Sequence, residues 1–201
     1  MMARILRERA AASRPPLERA APGGVLISSF WDWSVTPRPG GDLGDRYAKA
    51  LPEELARRNL NPIWLCWLDP RGDPSKRERP WREVLAPLEG RNDVVLLQAR
   101  LSIGDVLRAH ADLRPLLAYL RRRAEPDFTA MFRREGLDFF PLFGERLLRG
   151  FIDGCLPRCA LVALAAERAA RELVPSATVS FLEHNPYARA WNDGVDRKSV
   201  V

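Results

Sequence analysis

The 201-residue chain carries 46% hydrophobic and 29% charged residues with a formal net charge of +6, the composition of a globular chain and not of a fibre or a disordered tail. Its three cysteines, Cys66, Cys155 and Cys159, and two histidines, His110 and His184, are too few and too oddly spaced for a disulfide scaffold or a multi-histidine zinc centre. A reduced, cytoplasmic setting with no metal and no cofactor is therefore expected, and no apolar run approaches the roughly 20 residues of a membrane-spanning helix.

The positive charge sits at the ends. Residues 1–23 hold Arg4, Arg7, Arg9, Arg14 and Arg19 against Glu8 and Glu18, the last six residues add one more positive charge, and the remainder carries +2. That is an ordinary surface, not the electrostatic footprint of a nucleic-acid partner. Residues 1–23 are predicted to be a basic, disordered leader. They are rich in Arg and Ala, as a mitochondrial presequence is, but carry two glutamates and no apolar secretory segment. The final hexapeptide, Asp196-Arg197-Lys198-Ser199-Val200-Val201, equals the translation of one frame of a widely used sequencing adapter, stop codon included. Residues 196–201 are therefore expected to be an adapter artefact, on a native protein that continues past residue 195.

Within 24–195 the elements follow in order. Residues 25–30 form an apolar run bounded by Gly23-Gly24 and predict a buried first strand. Residues 31–44 predict a Pro/Gly-rich loop. A helix over 46–59 presents Tyr47, Ala50, Leu51 and Leu55 on one face, capped by Asp45, with Pro52 implying a kink or a late start. Residues 62–68 are apolar without alternation, as in a strand covered on both faces, and 71–80 form a charged loop. A short helix over 81–88, a third strand over 93–99 and two helices broken near Pro115 come next. The Phe-rich stretch 127–156 predicts a packed helical subregion. An Ala-rich helix over 159–174 ends at Pro175, a fourth strand spans 177–183, and another helix starts at Pro186. The alternation predicts a Rossmann-like parallel α/β sheet with a long helical excursion before its last strand. Ligands bind such sheets at the carboxyl edge.

Two segments leave that edge. In the first, Glu183 and His184 follow the fourth strand and Arg189 lies about one helical turn on. Glu183 is a candidate base, a ribose ligand, or a partner that fixes the junction through Arg189, and His184 is a weaker substrate-binding candidate. In the second, the loop after the first strand carries Trp31, Asp32, Trp33, Gly40, Gly41 and Asp42. Its glycines allow close backbone approach and its indoles suit stacking on a sugar ring, unless they fold inward. Neither GxGxxG nor GxxxxGK[ST] occurs, so dinucleotide or NTP binding of those kinds is unsupported. Ser28 and Ser29 lie inside a strand without a GxSxG elbow, and Cys155 and Cys159 look like core residues.

The stretch Gly44-Asp45-Arg46-Tyr47-Ala48-Lys49-Ala50-Leu51-Pro52-Glu53-Glu54-Leu55, followed by Asn61-Pro62-Ile63-Trp64, resembles the D-x-Y-x-x-x-L-P-x-x-L opening of a family of bacterial surface-carbohydrate (O-antigen type) biosynthesis proteins. The later Leu182-Glu183, Pro186, Arg189-Ala190 and Gly194 resemble that family's E-x-x-P-x-x-R/K stretch. Such proteins are similar to GT-B glycosyltransferases, in which two Rossmann-like domains face each other. The resemblance implies the N-terminal, acceptor-side half, with a nucleotide sugar and a glycan or lipid-linked acceptor as partners; peripheral membrane contact is expected only through a basic surface or an acceptor lipid, since the sequence shows no amphipathic anchor. It implies Glu183 or Asp32 as the base that deprotonates the acceptor hydroxyl, with Arg189 serving the leaving phosphate. The fragment alone is then expected to be inactive. A non-catalytic α/β scaffold that makes contact through its Phe-rich region is the competing expectation.

Overall fold

The computed structural model describes residues 2–12, 24–31, 35–38, 43–46, 48–68, 80–152, 154–180 and 186–196. Helix α1 (Met2–Ala12) is followed by strands β1 (Val25–Trp31), β2 (Val35–Pro37) and β3 (Leu43–Asp45), helix α2 (Leu51–Arg57) and strand β4 (Pro62–Leu68). Helix α3 (Trp81–Leu85) runs into a 3-10 turn, and β5 (Val94–Leu96) into another at Leu97–Arg100. The helical excursion contains α4 (Ile103–Ala111), α5 (Arg114–Arg122), α6 (Pro126–Ala130), the small hairpin β6 (Arg133–Arg134) and β7 (Leu137–Asp138), and α7 (Phe140–Ile152). Helix α8 (Cys155–Leu173), β8 (Ala177–Val179) and α9 (Pro186–Asp196) complete the order.

The sheet runs β3-β2-β1-β4-β5, with β8 on the other edge of the start of β1. Strands β1, β4, β5 and β8 are parallel, in registers that include Ile27↔Trp64, Leu65↔Val95 and Ile27↔Val179. This is the expected Rossmann-like arrangement. The missing alternation in β4 now has its cause. Ile63, Leu65 and Trp67 enter one core with Val106 of α4, Leu161 and Ala165 of α8 and Trp191 of α9. Trp64, Cys66 and Leu68 enter a second core with Leu55 of α2 and Val84 and Leu85 of α3. A strand with helices on both faces has no side to give to polar residues.

Four expectations need correction. Residues 2–12 are not part of a disordered leader: Ile5, Glu8, Ala11 and Ala12 recur at helical spacing and are all buried, so the helix is held by tertiary burial despite its charge. Residues 13–23 lie outside the described residues. The loop expected over 31–44 contains a hairpin, with β2 antiparallel to β3 and Val35 and Leu43 buried. The third strand stops at Leu96, because the Gln98 side chain bonds both Leu68 N–H (3.0 Å) and Leu68 C=O (2.9 Å), groups a longer ladder would have used. The Phe-rich stretch is helical except for β6 and β7, whose turn places Glu135 and Gly136 at φ 52° and 80°, the left-handed pair that a two-residue hairpin needs. Helix α2 takes the late start, with Pro52 in its first turn, where no N–H is required. Tyr47 and residues 71–79 lie outside the described residues, as do 197–201 beyond Asp196, the last residue of α9.

Candidate functional site

Strand β1 is where the sheet reverses direction. The chain steps from β1 to β4 to β5 on one side and returns after the helical excursion to β8 on the other. In open parallel sheets the crevice beyond the carboxyl ends at such a switch point is the binding site. Of the candidates there, Asp32, Trp33, Gly40, Gly41, Asp42, Glu183 and His184 lie outside the described residues. The strands that lead to Asp32 and Glu183 are neighbours, paired from Val25↔Ala177 to Ile27↔Val179.

Two candidates are described. Trp31 is the last residue of β1, 1% exposed, with its indole N–H donating to Val84 C=O at 2.8 Å. A ring buried against α3 offers no face to a sugar, so Trp31 is an anchor between sheet and helix, not a binding platform. Arg189 is exposed on α9 and bonds no carboxylate among the described residues, and Glu183, its expected partner, lies outside them.

The structure adds two groups that the sequence reading did not single out for the site. Asp45, at the end of β3, is buried. Its carboxylate accepts from the Ser29 hydroxyl at 2.5 Å and from Ala48 N–H at 2.7 Å, so it joins the edge hairpin to β1 and closes the turn before α2. The short polar residue expected to cap a helix caps this turn instead.

The second group lies beyond β4 and β5. Glu8 of α1 is fully buried, accepts from Arg4 Nε at 2.7 Å and from Gln98 Nε2 at 3.4 Å. Burial pushes its carboxyl above the ordinary glutamate value, against the opposing pull of Arg158 and Arg4. The Arg158 guanidinium lies over the rings of Trp67 at 5.5 Å and Tyr187 at 5.3 Å, and Phe30 meets Tyr187 edge-on at 6.4 Å. Trp67 Nε1 and Arg158 Nε are buried without a hydrogen-bond partner among the described residues. Idle buried donors are uncommon in native interiors. Beside a buried acid at the carboxyl end of β4, they mark a place able to take an oxygen-rich or anionic group.

No family model, curated protein or solved structure matches the chain. The site therefore rests on its own geometry. Among the described residues no cluster of three or more His, Cys, Asp or Glu could hold a metal ion, and no helix is long and apolar enough to cross a membrane. Cys66, Cys155 and Cys159 are free thiols. Burial, together with the neighbouring Cys155, pushes Cys159 up to about 12, and burial holds Cys66 well above the ordinary thiol value. Neither is a thiolate near neutral pH, as a nucleophile must be.

Proposed function

We propose that residues 24–195 form the acceptor-side domain of a glycosyltransferase-like protein of bacterial surface-polysaccharide biosynthesis, working in the cytoplasm on a nucleotide sugar and a glycan or lipid-linked acceptor. The observation that carries the reading is the reversal of strand order at β1, which makes β1 and β8 neighbours. Asp32 directly follows the first strand and Glu183 follows the second. These are the two carboxylates that the resemblance singles out.

In this reading the protein contributes position and charge. A carboxylate, Glu183 or Asp32, takes the proton of the acceptor hydroxyl. The hydroxyl oxygen attacks the anomeric carbon, and the nucleotide diphosphate departs with the bonding electron pair. Arg189 supplies positive charge for the departing phosphate. The resemblance assigns the nucleotide mainly to a second, facing domain.

The deciding experiment is sugar transfer by the full-length product of the intact locus, with Glu183→Gln and Asp32→Asn compared with the parent. Removing the base is expected to lower kcat by about 10²-fold or more, and unchanged rates in both variants would sink the assignment. One observation favours the alternative of a non-catalytic scaffold: the helical excursion exposes Met131, Leu137 and Leu142. A full-length protein that transfers no sugar but still binds its partners through this region would favour that reading.

A further inference from the structure

Helices α4 and α5 on one side and the α7 to α8 junction on the other enclose a cleft of about 430 Å³. That volume is in the range of small-molecule sites and, at about 30 Å³ for a water, has room for roughly a dozen non-hydrogen atoms. Leu161, buried, and Leu116, Phe151 and Leu164, half-buried, give it an apolar lining. The walls are fixed from behind. Phe151 stacks on Tyr119 at 5.4 Å, and Tyr119 donates its hydroxyl to Gly144 C=O at 2.7 Å. Arg114 donates to both carboxylate oxygens of Asp112 at 2.8 Å, which clamps the turn from α4 into α5.

The uncommitted polar groups of the lining favour one sign of charge. Its two carboxylates are taken, Asp112 by Arg114 and Asp105 by Arg168 at 2.6 Å. Arg108 is exposed and has no ion-pair partner among the described residues. His110 donates Nδ1–H to Val106 C=O at 2.8 Å, since a carbonyl can only accept. Its Nε2 is shielded from solvent without a hydrogen-bond partner among the described residues, an uncommon condition for a polar atom. Leu156 and Pro157 bring the first turn of α8 to the cleft. The start of a 19-residue helix is the positive end of its dipole, and the cap Gly154 has no side chain to offset it.

An apolar lining beside a free guanidinium, an idle imidazole nitrogen and a helix start fits an amphipathic anion. One unpaired arginine matches a singly charged carboxylate better than a doubly charged phosphate. The imidazole suits the same head, because one proton between Nε2 and a carboxyl oxygen completes the bond whichever of them carries it. We infer that this cleft binds a small carboxylic acid with an apolar body, the size of a medium-chain fatty acid, its head on His110 and Arg108 and its tail on the apolar lining. This goes beyond the proposed transfer reaction and does not rest on it, since no residue of the cleft is assigned a part in that reaction.

The test is calorimetric titration of the whole chain with octanoate, acetate and 1-octanol. Octanoate is expected to bind as one molecule per chain, with acetate at least tenfold weaker for want of a tail and 1-octanol at least tenfold weaker for want of charge. His110→Phe, which keeps a planar ring, should weaken octanoate about tenfold and Arg108→Gln about fivefold. Leu117→Ser, at a residue 51% exposed on α5 outside the cleft, should bind as the parent does. Octanoate should also shift the ¹⁵N resonance of His110 Nε2 in the parent, a readout that needs no variant. A parent that binds no octanoate, 1-octanol or acetate bound as tightly as octanoate, or an unmoved Nε2 resonance would each overturn the inference.

Discussion

Two buried carboxylates pull the stability of this protein in opposite directions as pH changes. Asp105 accepts from the Ser102 N–H and hydroxyl, both at 2.7 Å, closing a capping box at the start of α4. It also receives Arg168 through bonds of 2.6 and 3.1 Å. The Arg168 bond foremost, then the Ser102 bonds, hold its carboxyl well below the ordinary 3.8. A lowered folded value means that the stability Asp105 supplies is complete above about pH 4 and is lost as pH falls towards that folded value. Asp105→Ala should cost about 2–3 kcal/mol near neutral pH, from the lost cap and the charged hydrogen bonds, and visibly less at pH 3. Urea unfolding at both pH values measures this.

Glu8 has the reverse sign. Its folded value is raised above the ordinary 4.5, chiefly by burial, so its contribution is complete below about pH 4 and is lost as pH rises through the folded value. The stability of Glu8→Gln relative to the parent should therefore improve as pH rises from about 4 to 7, whereas that of Asp105→Ala worsens as pH rises towards about 4 and is level above it. Parallel pH curves for parent and variant would show that neither carboxylate is perturbed as described.

At the scale of elements, the junction of α8 and α9 is the most demanding. A Cβ at Gly194 would run into the carbonyl and Cα of Ala163, so the two helices touch backbone to backbone. Ala163, Ala166 and Ala170 keep the facing side of α8 small and buried. Gly194→Ala should destabilise the protein by about 1–3 kcal/mol through overpacking, seen as a lower Tm, whereas Gly90→Ala, where nothing lies within 4 Å but φ is +74°, tests backbone strain without packing. The helix α9 itself was legible, because Pro186 marks its first turn. The glycine that sets its distance from α8 was not, since a glycine late in a short helix gives no sign of which neighbour crosses it. The hairpins β2–β3 and β6–β7 were hidden for another reason. They are only two or three residues per strand, too short for a period of two to show.

For the whole molecule, what could be read was what is local. The unbroken apolar run of β4 announced a strand with cover on both sides, and the alternation of strands and helices announced the parallel order. The switch point at β1 followed only once β8 was seen beside it. Helix α1 escaped because nothing near it in the chain explains it. Its buried acid meets Gln98, 90 residues away, and Arg9 donates to Leu101 C=O, 92 residues away. An arginine-rich segment reads as solvated until those partners are known. Of the site, the described residues show only that the strands preceding Asp32 and Glu183 in the chain are adjacent; the two carboxylates themselves lie outside them. The cation between Trp67 and Tyr187 was not legible, because Arg158 sits in an Ala-rich helix with no motif around it.

The placement of β1 also sets a timetable for synthesis. Among the strands described, the central one is made first and its neighbours β2 and β4 follow soon after, but its third neighbour, β8, arrives last. Ser176, just ahead of β8, donates to Gly24 C=O across 152 residues of chain, and α1 must wait for Gln98 and Leu101. Non-local pairing of this kind is slow and leaves strand edges open in the meantime. A nascent chain halted anywhere before β8 therefore carries its central strand with one edge unclaimed, and is at its stickiest during most of its own manufacture.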